Sequence, residues 1–164
     1  MTSGVSQNKV EYPMWRCVMP EIDYDDSPYP VREDIVGAHR RAWDRISSAG
    51  SWLTAEERIK VMAETRHARG CPTCAKIREA LSPFGVTEHH DAGTDLPENW
   101  VNMIHLIVAD PGRLTHTWYK KTIDSGIPET HFVEIVSIVA HTTAIDTFAK
   151  GIGVPVRAMP EPQP

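Results

Sequence analysis

The segment Cys71-Pro72-Thr73-Cys74 constrains the fold of this chain more than any other part of the sequence. It follows a helix-favouring run from Thr54 to Ala68 and precedes another from Ala75 to Leu81. Two cysteines at i and i+3 lie about one turn apart on the same face of a helix, so they can close a small disulfide or bind one metal ion. The sequence therefore predicts a fold that holds this pair of thiols.

The prolines and glycines around the motif predict where its helix begins. Pro72 suits the first helical position, where its missing N–H costs nothing, and this makes Cys71 the N-cap residue and places Cys74 in the first turn. The partial positive charge at a helix N-terminus stabilises thiolate over thiol, and thiolate is the nucleophilic form. The motif is therefore expected to be reactive.

Length, charge and hydropathy exclude several classes of protein. The chain has 164 residues and a formal net charge of −5, and its largest basic cluster is His39-Arg40-Arg41, so a nucleic-acid surface is not expected. No long apolar segment indicates export or membrane insertion, which favours a cytoplasmic protein. Three cysteines are too few for a secreted disulfide scaffold, and Cys17 is expected to be a spare or buried thiol.

Helical periodicity recurs along the chain, and no segment shows strand alternation. The predicted helices span Val31–Ser48, Thr54–Ala68, the motif helix through Leu81, Trp100–Ala109, Leu114–Ser125 and Glu129–Lys150. Thr54 and Glu57 predict a capping box at the start of the second helix, and Ile59, Met62 and Ala63 predict its apolar stripe. The last helix is expected to be largely buried, with Val133 and Ala144 among its core residues. The fold class is therefore all-α, a compact bundle of about five to seven helices.

Composition divides the chain into three parts. Residues 1–30 are polar and rich in proline and are expected to form an extended arm, residues 31–154 the helical domain, and residues 155–164 an extended proline-rich tail. The aromatic residues of the arm suggest that it packs on its own domain or on a neighbouring subunit: Tyr12, Trp15, Tyr24 and Tyr29. Together with the buried helices, they favour a homo-oligomer.

Five further residues are candidates for moving protons near the thiols. Glu64 and His67 are expected on the polar side of the helix before the motif, where they are either a relay or a surface ion pair. His105 lies in an almost wholly apolar helix, so its imidazole needs a partner, structural or catalytic. Glu134 and His141 are seven residues apart on one helix face and can line one pocket without touching.

These features together resemble the alkylhydroperoxidase D and carboxymuconolactone decarboxylase superfamily over about Ser51 to Pro160. The resemblance rests on Leu53–Arg58, the motif Cys71–Cys74, Gly126–Pro128 leading to Val133–Ile135, and Phe148–Pro155. The chain is most similar to the alkylhydroperoxidase-related branch, some members of which carry selenocysteine at the first motif position. Segments similar to that branch are Glu64–Cys71, Lys76–Pro83, His105–Asp110 and Arg113–Thr115.

The resemblance implies a small all-helical protein that reduces a small hydroperoxide with Cys71 and Cys74 as catalytic residues and needs no cofactor. One cysteine is oxidised to a sulfenic acid, the other resolves it to a disulfide, and an external dithiol reductant resets the pair. The chain departs from the family at the residues of the proton relay. Ile59 occupies the position of the family's glutamate, and Arg78 occupies the position of its histidine. Thr73 occupies a position where some members have a second histidine. The family's proton relay therefore does not carry over to this chain.

Several alternatives follow from the same residues. Helix geometry and the selenium-containing relatives favour Cys71 as the attacking residue, whereas the better-known alkylhydroperoxidases favour Cys74. Arg78 either stabilises a thiolate or lies on the surface. A zinc site formed by the two cysteines, His67 and one of His89 or His90 is one alternative function. A redox sensor or oligomeric binding protein on the same fold is another, and a lyase that needs no cysteines is a third.

Overall fold

The computed structural model describes residues 22–82 and 85–163, and over this part of the chain the fold is all-α, as predicted. The six α-helices are α1 (Glu33–Ser47), α2 (Ala55–Ala68), α3 (Pro72–Glu79), α4 (Glu98–Ala109), α5 (His116–Asp124) and α6 (Glu129–Gly151). A short 3-10 helix, Pro111–Arg113, joins α4 to α5, and no strand occurs within the described residues.

Helix α2 lies at the centre of the bundle. It packs against α1, α4 and α6, while α3 packs against α4. The main core is formed by apolar side chains from all of these helices except α3, and α3 contributes Cys71, Cys74 and Ile77 to a second, smaller cluster that also includes Ala109. The thiols therefore lie where the short helix α3 meets the buried helix α4.

Capping residues set the starts of the helices on both sides of the motif. The side chain of Thr54 accepts a hydrogen bond from the Glu57 N–H, and Glu57 accepts one from the Thr54 N–H, which is the predicted capping box. Cys71 is the N-cap residue of α3 and Pro72 its first residue, as the sequence predicts. Helix α3 is shorter than predicted, because Arg113 donates hydrogen bonds to the carbonyl oxygens of Ile77 and Ala80 where the helix ends.

The predicted faces of α2 and α6 need correction. The buried residues of α2 are Ala55, Arg58, Val61, Met62, Glu64, Thr65 and Ala68. Of the predicted apolar stripe, Met62 is fully buried, whereas Ile59 and Ala63 are only half-buried. In α6, Val133 and Ala144 were expected in the core, yet both are exposed, Val133 by 61%. The error has one cause: charged residues of both helices are buried in pairs, and they occupy positions that periodicity assigns to the surface.

The segments outside the helices pack on the same domain where they are described. Ile22 and Tyr24 are buried, and Tyr24 makes edge contacts with the rings of His39 and Phe148. Residues 155–163 form no helix or strand, and the Trp43 indole donates a hydrogen bond to the Ala158 carbonyl oxygen in this segment. The predicted roles of Tyr12, Trp15 and Cys17 lie outside the described residues.

Helix α6 is the one helix among the described residues whose length and composition would allow it to cross a membrane. Its apolar residues pack on α2 and α4, and its buried Asp146 pairs with Arg66 and Arg69 of α2. The core helix of a globular domain meets the same criterion, and these contacts account for the apolar character of α6.

The buried pair Arg58–Glu134 joins α2 to α6 and leaves no room for a side chain at Gly50. Glu134 also accepts a hydrogen bond from the backbone N–H of Trp52 at 3.2 Å, so the carboxylate is fixed from two sides. A Cβ atom built on Gly50 would overlap both the Glu134 carboxylate and the Arg58 guanidinium. The loop before α2 therefore requires glycine at this position.

We expect Gly50→Ala to lower the free energy of unfolding by about 3 kcal/mol, because the added methyl group displaces a buried ion pair. Chemical denaturation followed by circular dichroism measures the change. Gly151→Ala is the matched control, since a Cβ there meets nothing within 4 Å, and it should leave stability unchanged or raise it by up to about 1 kcal/mol. Equal stability of Gly50→Ala and the wild type would show that the Arg58–Glu134 pair does not pack closely against the backbone of Gly50.

Candidate functional site

The two motif cysteines are free thiols buried at the N-terminus of α3. Cys71 is 2% exposed and Cys74 is fully buried. Three elements surround them: the helix start that carries both cysteines, α4, and the loop of residues 85–97 before α4. The thiol pair is thus enclosed by parts of the chain that are distant in sequence.

A chain of hydrogen bonds leads from Cys74 into the core. The Cys74 Sγ lies 3.3 Å from Nδ1 of His105, and Nε2 of the same ring lies 2.7 Å from Oε1 of Glu64. Both His105 and Glu64 are fully buried. An ionised carboxylate can only accept, so His105 donates its Nε2–H to Glu64 and its Nδ1 accepts from the Cys74 thiol. The arrangement can take a proton from Cys74.

Glu64 is held in place by the loop between α3 and α4. The Thr94 hydroxyl donates to Oε2 at 2.6 Å, and the backbone N–H of Gly93 points at both carboxylate oxygens at 3.1 and 3.2 Å. Burial raises the pKa of Glu64, but the hydrogen bonds from Thr94, His105 and Gly93 outweigh it and leave the pKa below its ordinary value. Glu64 is therefore a carboxylate when it faces His105.

The environments of the two sulfur atoms push their pKa values apart. Burial raises the pKa of Cys71, but hydrogen bonds from the backbone N–H groups of Cys74 and Asp91, and a weaker one from the Thr73 N–H, leave it below its ordinary value. Burial and the neighbouring Cys71 sulfur raise the pKa of Cys74 to about 12, against a small opposite effect of exposed Arg78. Of the two cysteines, Cys71 is therefore the one that ionises more readily, and Cys74 holds its proton more strongly.

His90 contacts both sulfur atoms from the loop. Its Nδ1 lies 3.7 Å from the Cys71 Sγ and 3.5 Å from the Cys74 Sγ, and its ring is 4.6 Å from that of His105. Burial, with a contribution from the charge of His105, lowers the pKa of His90 to about 4, so the ring is neutral near pH 7. The adjacent His89 is exposed and pairs with Glu98 instead.

The other predicted relay residues lie elsewhere. His67 is partly exposed, and its Nε2 lies 3.3 Å from a carboxylate oxygen of Asp91 without forming a hydrogen bond. Glu134 and His141 line one pocket, as predicted, but it is the pocket beside Arg58, and the cysteines are not among its lining residues. Exposed His141 bonds to the Ser137 carbonyl oxygen. Of the five candidates, the structure brings Glu64 and His105 to the thiols.

The expectation that Glu64 lies on the polar face of α2 with His67 is wrong. Glu64 is fully buried, because His105 of α4 and the Gly93–Thr94 segment supply its hydrogen bonds. The sequence indicates that His105 needs a hydrogen-bond partner, because it lies in an apolar helix, but it does not identify Glu64 as that partner. The sequence left His89 and His90 as equal candidates for a zinc ligand, because the fold of the loop decides which of two adjacent histidines faces the sulfur atoms.

The four ligand atoms of Cys71, Cys74, His90 and His105 lie within 4.8 Å of one another. Two sulfur and two imidazole ligands are also a set that soft divalent metal ions prefer. This set differs from the zinc ligands suggested by the sequence, because His105 takes the place of His67. The site can therefore support either thiol chemistry or metal binding.

A pocket of about 230 Å³ lies beside the thiol site. His90 and Ile77, which also pack beside the cysteines, line it, and Met103, Leu106 and Trp118 make much of the remainder apolar; the cysteines themselves are not among its lining residues. Asn99 and Asn102 contribute polar groups to the same wall. A small molecule with an apolar part and a polar end could reach His90 through this pocket.

Comparison with known proteins does not extend this description: no family model, no curated protein and no solved structure matches the chain.

We expect Thr94→Val to lower the free energy of unfolding by about 2 kcal/mol, because it removes a hydrogen bond to a buried carboxylate while keeping the shape of the side chain. Thr87→Val is the matched control, since Thr87 is an exposed residue of the same loop, and its effect should stay within about 0.5 kcal/mol. Denaturant titrations of both variants measure the difference. Equal stabilities would show that the Thr94 hydroxyl does not hold Glu64.

Proposed function

We propose that this protein is a thiol-dependent peroxide reductase of the alkylhydroperoxidase D-like type, in which Cys71 attacks the peroxide and Cys74 resolves the product. The observation that carries the proposal is the buried chain Glu64–His105–Cys74, which ends at a dithiol. A base oriented by a carboxylate and aimed at a thiol is the arrangement that activates a nucleophile.

The first step uses the thiolate character of Cys71. Its sulfur attacks the terminal oxygen of the hydroperoxide, the O–O bond breaks, and the products are a Cys71 sulfenic acid and an alkoxide. The alkoxide takes a proton from solvent, which balances the proton that Cys71 lost on ionising. Backbone N–H groups of Thr73, Cys74 and Asp91 support the thiolate before the attack.

The second step uses His105. Its Nδ1 takes the Cys74 proton, and Glu64 stabilises the resulting imidazolium. The Cys74 sulfur then attacks the Cys71 sulfur, the S–O bond breaks, and the departing hydroxide receives the proton from His105 as water. Two thiols have supplied the two electrons that reduced the O–O bond, and an external dithiol restores them by thiol–disulfide exchange.

This assignment gives each cysteine the role that its surroundings favour. The raised pKa of Cys74 keeps it protonated until a base acts, and His105 is in hydrogen-bonding distance of it. Cys71 is the residue whose pKa is lowered, and its neighbour His90 lines the adjacent pocket. A small hydroperoxide would therefore approach Cys71 from the side of His90.

We expect Cys74→Ser to accumulate a sulfenic acid on Cys71 after one equivalent of cumene hydroperoxide, because the resolving thiol is missing. The Cys71→Ser variant should not consume peroxide at a rate comparable to that of the Cys74→Ser variant, because it lacks the attacking sulfur. Both are made with Cys17→Ser, so that the motif thiols alone are counted, and dimedone labelling with mass spectrometry locates the product. A sulfenic acid on Cys74 of the Cys71→Ser variant would reverse the roles of the two cysteines. If the Cys17→Ser protein does not reduce peroxide repeatedly when a dithiol is supplied, the protein is not a peroxide reductase, and the redox-sensor alternative fits instead.

We expect His105→Gln to slow disulfide formation roughly 10²- to 10⁴-fold, because the base for Cys74 is lost while the glutamine amide can still donate to Glu64. His141→Gln is the matched control: this histidine is exposed on α6 and was an equal candidate from the sequence. Rapid-quench counting of free thiols after peroxide addition gives the rate. A folded His105→Gln protein that closes its disulfide at the wild-type rate would exclude the relay.

A further inference from the structure

We propose that the reduced protein also binds one zinc ion, with Cys71, Cys74, His90 and His105 as its four ligands. The four donor atoms lie within 4.8 Å of one another. The two cysteines lie at the start of α3, His90 lies in the following loop and His105 lies in α4. The fold therefore brings the two sulfur ligands next to two nitrogen ligands that are distant from them in sequence.

The separations match those around a tetrahedral ion. Zn–S bonds of about 2.3 Å and Zn–N bonds of about 2.0 Å at tetrahedral angles place sulfur and nitrogen roughly 3.5 Å apart. The observed sulfur–nitrogen distances are 3.3 Å for Cys74 to His105, and 3.5 and 3.7 Å for His90 to Cys74 and Cys71. These three separations already match a tetrahedral site, and the pairs that lie further apart, within 4.8 Å, would close around the ion.

The surroundings of His105 resemble those of a metal ligand. A histidine that binds zinc usually donates its other ring N–H to a carboxylate, which fixes the tautomer. His105 donates Nε2–H to Glu64 at 2.7 Å and presents Nδ1 to the site, while Thr94 and Gly93 hold the carboxylate. The hydrogen bonds that orient a base for Cys74 also orient a ligand for zinc.

Charge favours a cation at this position. Both cysteines bind a metal ion as thiolates and release their protons as they do so, and one divalent ion neutralises the two buried charges. With four protein ligands the coordination sphere is closed, so the bound ion has no open position for catalysis and instead blocks both sulfur atoms. Zinc binding and peroxide reduction therefore compete for the same dithiol, and the disulfide form has no sulfur ligands to offer.

The test is a Co²⁺ titration of the full chain carrying Cys17→Ser, reduced with a phosphine in the absence of air. We expect thiolate-to-metal charge-transfer bands and the ligand-field bands of a tetrahedral site to saturate at one equivalent, and one equivalent of Zn²⁺ to remove them. Zinc-loaded protein should expose no titratable motif thiols until a chelator is added. Absence of the bands, or saturation at a different ratio, would overturn the proposal.

The variants separate this site from adventitious binding. His90→Ala should abolish the tetrahedral spectrum, and His89→Ala is its matched control, because His89 is adjacent, exposed and paired with Glu98. Glu64→Gln should weaken Zn²⁺ binding roughly 10- to 100-fold. Equal Co²⁺ spectra for His90→Ala and His89→Ala would overturn the assignment, provided circular dichroism shows both folded.

The two proposals fail in different ways. Metal-free protein that turns over peroxide but gives no Co²⁺ spectrum would disprove the zinc site alone. Protein that binds Co²⁺ as described but, when metal-free, keeps its thiols in excess peroxide would disprove the reductase alone. If both hold, zinc-loaded protein should consume peroxide more slowly than metal-free protein, and a chelator should restore the rate.

Discussion

The contact between Glu64 and His105 is the interaction on which the site depends. Removing an ionised carboxylate from water is costly unless hydrogen bonds replace the lost hydration. The carboxylate of Glu64 receives them from His105, Thr94 and the Gly93 N–H, so residues from α2, α4 and the intervening loop must meet at one point. Breaking such a buried pair costs about 3–5 kcal/mol. The position of His105, and with it the environment of Cys74, is therefore fixed by the stability of the fold.

This constraint explains why two cysteines three residues apart differ so much in their chemistry. Cys71 precedes the first turn of α3, where backbone N–H groups are unpaired and can stabilise a thiolate. Cys74 lies one turn further into the protein, against an imidazole whose free nitrogen accepts a hydrogen bond. In the proposed reaction, the start of α3 thus supplies the nucleophile Cys71, and the tertiary contact with His105 supplies the base.

The sequence predicted the local parts of this arrangement and missed the long-range ones. The all-α fold, the capping box at Thr54 and the N-cap position of Cys71 follow from short-range rules, and all three are observed. The burial of Glu64 depends on His105, which lies 41 residues away, and no periodicity in α2 reveals it. Arg58, Glu134 and Asp146 misled the assignment of helix faces for the same reason, because each is buried against an opposite charge.

The departures from the family that the sequence resembles gain a physical explanation from this geometry. The two relay positions that the family would use are occupied by Ile59, which packs against the core, and by exposed Arg78. A proton acceptor must satisfy a distance and an orientation at the sulfur atom, and any helix that reaches the site can provide it. Here α4 provides it through His105, and Glu64 occupies a different turn of α2 from Ile59. The residues at positions 59 and 78 are thus compatible with the proposed thiol chemistry, because an imidazole and a carboxylate are present at the sulfur pair.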